Sequence, residues 1–142
     1  SKEVRAQRHP FADDPLFREA AGLPVEFLGF VPAADFFSRI DVLVVPSVWA
    51  EPLPRTVLES YAVGVPVIGS RAGGIPDLIG ADNAEWLFDP DADDQLAGRM
   101  AHCLDLGRKG FPTREQFESV LSVTTPETVV QRYADVYQQV LA

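Results

Sequence analysis

Two unbroken apolar runs organise the hydrophobic pattern of this chain: residues 41–46, DVLVVP, and residues 65–69, VPVIG. An alternating pattern would mark a strand with one wet face; a continuous run marks a strand buried on both faces, as in parallel sheets covered by helices. Pro66 confines any strand there to the residues around and after it, because proline cannot donate to a ladder. Between the runs, residues 54–62 predict a short helix with Pro54 in the first turn and Gly64 as its stop. Residues 25–30, VEFLGF, are rich in β-branched and aromatic side chains and predict a further strand. EWLFD, at 85–89, predicts a fourth, short one.

The remaining pattern is helical. Asp13 and Asp14 before Pro15 predict a helix running to Gly22, and Pro32 opens another with Phe36, Phe37 and Ile40 on its apolar face. Residues 75–80, IPDLIG, predict a single turn. Beyond Asp91 the apolar spacing of Leu96, Met100, Cys103 and Leu104 predicts a helix, and residues 113–123 another. Thr125-Pro126-Glu127 starts a last one, with Val129, Val130, Tyr133, Val136, Tyr137 and Val140 on one stripe that reads as core packing. Strands alternating with helices predict an α/β fold: a Rossmann-like open parallel sheet of about four strands with helices on both faces and a helical C-terminal end. That is fewer than the roughly six strands of a doubly wound nucleotide fold, so the expectation is one partial domain over residues 1–142.

Composition narrows the function classes. The 142 residues are 46% hydrophobic, enough for a core of one domain. The formal charge of −9, from 21 acidic and 12 basic residues, disfavours nucleic acid as a partner. No window approaches the roughly 20 apolar residues of a membrane span, and the first residues, SKEVRAQRHPF, lack the apolar segment of a signal peptide. One cysteine, Cys103, forms no internal disulfide and fits a reducing cytoplasm.

Candidate chemistry gathers at residues 42–74. Ligands of open α/β sheets bind beyond the carboxyl ends of the strands, where the 41–46 run leads into Ser47, Trp49 and Glu51. The loop then becomes a helix N-terminus, whose unpaired N–H groups favour a phosphate. Pro52 and Pro54 have no N–H, which leaves Leu53, Arg55 and Thr56 as donors. Glu51 and Glu59 are eight residues apart, on the order of 12 Å if the whole stretch is helical. Carboxylates accept hydroxyl hydrogen bonds, so the pair suits the two polyol ends of a nucleotide-diphosphate sugar, with the phosphates between. The plainer readings are a helix-start charge and a solvated surface charge for the glutamates, a tight turn for Gly73-Gly74, and surface cations for Arg55 and Arg71. No G-x-G-x-x-G follows a strand. His102 and Cys103 point in different directions on a helix and predict no metal site, and Ser47 has no histidine in helpful context.

VEFLGFVP, residues 41–79 and AEWLFDPDADDQLA together resemble the C-terminal, donor-binding domain of the GT-B glycosyltransferases, specifically the retaining group 1 (GT4) family, whose E-x7-E motif coincides with Glu51 and Glu59. The resemblance implies that Glu51 is the catalytic-centre residue touching the transferred sugar and that Glu59 holds the ribose. It implies that the amides of Leu53, Arg55 and Thr56 bind sugar and distal phosphate, that Gly29, Phe30 and Val31 border the base, and that Gly73 and Gly74 lie beside the donor. It implies neither a cofactor nor a metal, the substrate being the nucleotide sugar itself. Where the family commonly has EPFG this chain has EPLP, so Pro54 removes one backbone donor. The first strand–helix–strand of the domain, with the basic pair that grips the diphosphate, and the acceptor-binding N-terminal domain are expected to lie outside the chain. The chain alone is therefore expected not to catalyse transfer, and its parent to be cytoplasmic, with peripheral membrane contact open to it. Two rivals stand beside this reading: half of a GT-B nucleotide-sugar 2-epimerase, and a non-catalytic fragment that self-associates through an open sheet edge.

Overall fold

A computed structural model describes residues 15–107 and 114–141. The chain divides into two compact units, Ser1–Phe36 and Phe37–Ala142. Among the described residues of the first unit, α1 spans Pro15–Glu19 and is followed by a turn. The helix is thus shorter than the expected run to Gly22; Ala21 N–H and Leu23 N–H close turns on Arg18 and Ala20. Phe17 stacks on Phe27 with ring centroids 3.9 Å apart. The expected strand at 25–30 does not form. Val25, Phe27 and Phe30 are all exposed, and β-propensity acts only where a pleated surface is half covered by neighbouring strands. A second helix, α2, spans Ala33–Phe37.

The second unit carries the sheet. Its three strands are β1 (Leu43–Val45), β2 (Val67–Ser70) and β3 (Leu87–Phe88), parallel throughout in the order β1-β2-β3. The register sets Leu43 beside Val67 and Val45 beside Gly69, then Gly69 beside Leu87 and Ser70 beside Phe88. The sheet therefore has three strands among the described residues, not four. Pro66 sits just outside β2 and contributes its carbonyl to Leu43 N–H, the half of a ladder bond that proline can still make. The outer strands are three and two residues long, so each edge offers few free backbone groups for pairing with a second chain.

Every residue of β2 is buried. Successive side chains of a strand point to opposite faces, so burial at all positions requires cover on both. One face is closed by α4 (Ile75–Ile79), which lies so near that a Cβ on Gly69 would fall 2.5 Å from Ile75 Cγ2 and 2.7 Å from Ile79 Cδ1. α3 (Arg55–Ala62) packs against β1 and β2 and buries Val57 and Tyr61. A 3-10 helix, Ala81–Trp86, returns the chain to β3, and the buried Asn83 donates its Nδ2 hydrogen to Ile79 O at 2.9 Å to satisfy the end of α4.

Three more helices follow: α5 (Asp93–Leu106), α6 (Arg114–Val123) and α7 (Pro126–Leu141). Asp89 and Gln95 bond reciprocally at the start of α5, and Arg99 Nε donates to Leu87 O at 3.1 Å. Cys103 is buried as its spacing predicts, whereas Met100 and Leu104 are exposed. Phe117 of α6 stacks on Tyr61 at 4.8 Å. Thr125 caps α7, its Oγ1 accepting from Thr128 N–H at 3.3 Å. The stripe on α7 is not core: Val130, Tyr133, Val136, Tyr137 and Val140 are all more than half exposed. Among the described residues no helix is long and apolar enough to cross a membrane.

Two measurements follow from this packing. Gly69→Ala drives a methyl group into two buried isoleucines, and overpacking of that kind costs about 1–3 kcal/mol in urea unfolding; an unchanged midpoint contradicts the close approach. Burial pushes the Tyr61 phenol up from 10.0 to about 12. The folded state thus resists ionisation more than the unfolded state, so stability is fully present below pH 10 and falls as pH rises from 10 towards 12. The loss is about 2–3 kcal/mol at most. The Cys103 thiol, also pushed up by burial, acts in the same direction and is common to both proteins when wild type is compared with Tyr61→Phe. The variant should lose less stability across that window, and parallel curves would contradict the assignment.

Candidate functional site

Because β1 and β2 are parallel, the loops leaving them open at the same end of the sheet, and they touch. The first, residues 46–54, exposes Val48, Trp49 and Leu53, while Glu51 is half-buried. The second, residues 71–74, lies against it. Ser70 Oγ donates a 2.7 Å hydrogen bond to Ser47 O, both residues being buried. Gly74 N–H donates to Glu51 O at 2.9 Å. Gly73 has φ +52°, in the left-handed region, and a Cβ there would fall against Glu51 O and 2.5 Å from Glu51 N. A Cβ on Gly74 would meet Pro52 O. Glycine is thus required by close backbone contact at both positions.

Pro54 ends the first loop as the buried N-cap of α3, with no side-chain capping bond. Val57 N–H closes on Pro54 O at 3.0 Å. The amides of Arg55 and Thr56 precede Val57, the first donor bonded within the helix, and lie at the positive end of the helix dipole. One turn on, Glu59 is half-buried and forms an i,i+4 ion pair with Arg55, whose NH2 lies 3.3 Å from Glu59 Oε1. The arginine side chain is 83% exposed, so this pair adds only about 0.3–0.5 kcal/mol and gives way readily to another partner.

The structure thus sets Glu51, Leu53, Gly73 and Gly74 in the two touching loops at the carboxyl end of the sheet, Arg55 and Thr56 at the start of α3, and Glu59 one turn along that helix. Phe30 and Val31 belong to the Ser1–Phe36 unit, where Phe30 is exposed and Val31 half-buried. Two sequence expectations change. The chain is helical only from Arg55, so a rise per residue does not measure the separation of Glu51 from Glu59. Gly73 and Gly74 meet the Glu51 loop itself, which their position in the sequence did not reveal. The Ser70–Ser47 bond was equally hidden, since it links residues 23 apart.

Arg71 turns elsewhere. Its NH2 donates to Ala84 O at 3.4 Å and its Nε lies 3.9 Å from Asp89 Oδ1. With Pro76, Asp77, Gly80, Ala81, Ala84 and Leu87 it lines an open depression of about 510 Å³ that includes neither glutamate. Among the described residues no cluster of His, Cys, Asp and Glu is arranged to hold a metal ion.

Residues 8–105, more than two-thirds of the chain, match the family model described as glycosyl transferases group 1. An uncharacterized 42.6 kDa protein in the cps region of Klebsiella pneumoniae is 43% identical over 54 residues, 38% of this chain and 14% of that protein. The sulfoquinovosyl transferase of Arabidopsis thaliana is 37% identical over 125 residues, 84% of this chain and 23% of its own length. An amylovoran biosynthesis glycosyltransferase of Erwinia amylovora is 34% identical over 91 residues, 58% of this chain and 22% of the enzyme. The chain thus spans under a quarter of each of these three relatives. By the extent of the family match, the chain belongs to the group 1 glycosyltransferases.

Proposed function

We propose that this chain is the donor-binding part of a retaining GT4 hexosyltransferase, which transfers a sugar from a nucleotide-diphosphate sugar to an acceptor hydroxyl. The observation that carries the reading is the uncapped start of α3 flanked by Glu51 and Glu59 at the carboxyl end of a parallel sheet. Its chemistry is the complement of such a donor: amides and a helix dipole for phosphate, a carboxylate on either side for hydroxyls.

In this reading Glu59 exchanges its weak ion pair with Arg55 for the ribose hydroxyls. Arg55, released, remains beside the phosphates. The amides of Leu53, Arg55 and Thr56 face the sugar and the distal phosphate, where charge develops as the bond from anomeric carbon to phosphate oxygen breaks. Pro54 supplies no N–H, so the clamp has one donor fewer than a glycine there would provide. Glu51 accepts from hydroxyls of the transferred sugar and orients it. The acceptor oxygen then bonds to the anomeric carbon on the face the phosphate leaves, its proton passes to the departing phosphate, and a nucleoside diphosphate is released. Gly73 and Gly74 serve the donor through the loop they hold.

The acceptor is bound by a further domain of a longer protein, so turnover needs more than these 142 residues. The donor is the partner, with no metal and no nucleic acid, and the buried free thiol of Cys103 suits the reducing cytoplasm. The names of the relatives, one a sulfoquinovosyl transferase and one an amylovoran biosynthesis enzyme, give no common sugar to assign here.

The test is calorimetric titration of the full-length protein with UDP-, GDP- and ADP-sugars. Glu59→Ala removes charge-assisted hydrogen bonds of about 1.5–3 kcal/mol, which weakens the accepted donor by roughly 10- to 150-fold. Arg55→Ala, which frees Glu59 from its ion pair, should weaken it far less. Unchanged affinity in Glu59→Ala removes the ribose assignment.

A further inference from the structure

The loop that carries Glu51 has little of its own to hold it. Between its buried ends, Ser47 and Pro54, the side chains of Val48, Trp49 and Leu53 are exposed, so their burial does little to select the conformation there. Within the loop, Glu51 N–H bonds only as far as Trp49 O, at 2.9 Å. The restraints come instead from the segment that follows β2. Gly74 N–H reaches Glu51 O, the Gly73 backbone lies directly against Glu51, and Ser70 Oγ reaches Ser47 O at 2.7 Å. Two of these contacts are backbone to backbone. The third is made by a side chain with no exposed surface, rooted in the strand whose every residue is buried.

We infer that Ser70 is a positioning residue for Glu51: its hydroxyl fixes the start of the loop at Ser47, and the glycine pair fixes Glu51 four residues later. The inference rests on the reading of Glu51 as a sugar-contacting group. Ser70 touches no substrate itself. Two anchors, Ser70 at the end of β2 and the glycine pair in the segment that follows it, determine where the Glu51 backbone lies and hence where its carboxylate points. With the anchor at Ser47 removed, the stretch before the buried Pro54 is held by the glycine contacts, and displacement of a substrate-orienting group by about 1 Å can cost a hundredfold in rate. Donor affinity through Glu59 and the amides of α3 lies beyond Pro54, which is itself buried, and is expected to change little.

A merely structural role for Ser70, a buried hydroxyl finding the nearest carbonyl, predicts lower stability but no selective link to Glu51. The two are separated by kinetics of the full-length protein with whichever of UDP-glucose, GDP-mannose and ADP-glucose it turns over, read as nucleoside diphosphate release. Glu51→Gln, Ser70→Ala and the double variant form a cycle. Expected are a kcat for Ser70→Ala lower by about tenfold with donor KM within about twofold, and less than about twofold further loss when Ser70→Ala is added to Glu51→Gln. Ser70→Cys, near in size but a weaker donor, should fall between serine and alanine, and it carries the comparison if the alanine variant does not fold. If Glu51→Gln keeps the wild-type kcat, the reading of Glu51 itself fails. If Glu51→Gln falls while Ser70→Ala stays at the wild-type rate, or the two losses multiply fully in the double variant, the glutamate reading survives and the role of Ser70 is overturned.

Discussion

The burial of β2 on both faces is the constraint from which the rest of this unit follows. A strand without a wet side needs neighbours on both edges and helices above and below. β1 and β3 supply the edges, α4 closes on Gly69 and α3 on the neighbouring surface. The requirement is strict at Gly69, where there is room for no side chain between the strand and two buried isoleucines. A strand held so firmly is a fixed reference at its carboxyl end, and there it presents Ser70 and then the glycine pair.

The candidate site takes its geometry from that reference. Its reactive groups are on the less constrained elements: Glu51 in an exposed loop, Glu59 half-buried and loosely paired on α3. Ligand-binding loops are commonly drawn from the less stable parts of a fold and positioned by a rigid scaffold. Here the coupling between scaffold and loop is visible as a buried serine hydroxyl and a backbone contact that any Cβ would block. The uncapped first amides of α3 suit an anion without a basic cluster on this chain. That reconciles a donor-binding role with a chain of net charge −9.

Much of this was legible in the sequence, for reasons that differ by element. Buried parallel strands leave an unbroken apolar run, and both such runs became strands, shortened at their prolines. Residues 25–30 have the same β-forming composition but no strand, since propensity only describes fitness for a covered pleat and no pairing partner is present among the described residues. Helical spacing correctly made an apolar stripe on α7, yet spacing says nothing of what covers a stripe, and this one is exposed. The E-x7-E spacing singled out the two glutamates as candidates, and the loop between Glu51 and α3 removes the geometric meaning of seven intervening residues. The contacts that hold Glu51 were hidden altogether, because they join residues about twenty positions apart through backbone atoms and one small side chain.

The claim on which the functional account stands is that a nucleotide-diphosphate sugar lies against the start of α3. Residue-resolved amide hydrogen exchange of the full-length protein, with and without a saturating nucleotide sugar, tests it most directly. The account predicts slower exchange at the amides of Leu53, Arg55 and Thr56 on binding. Protection absent there, and present instead around Asp77, Ala81, Ala84 and Leu87 at the Arg71 depression, would contradict it.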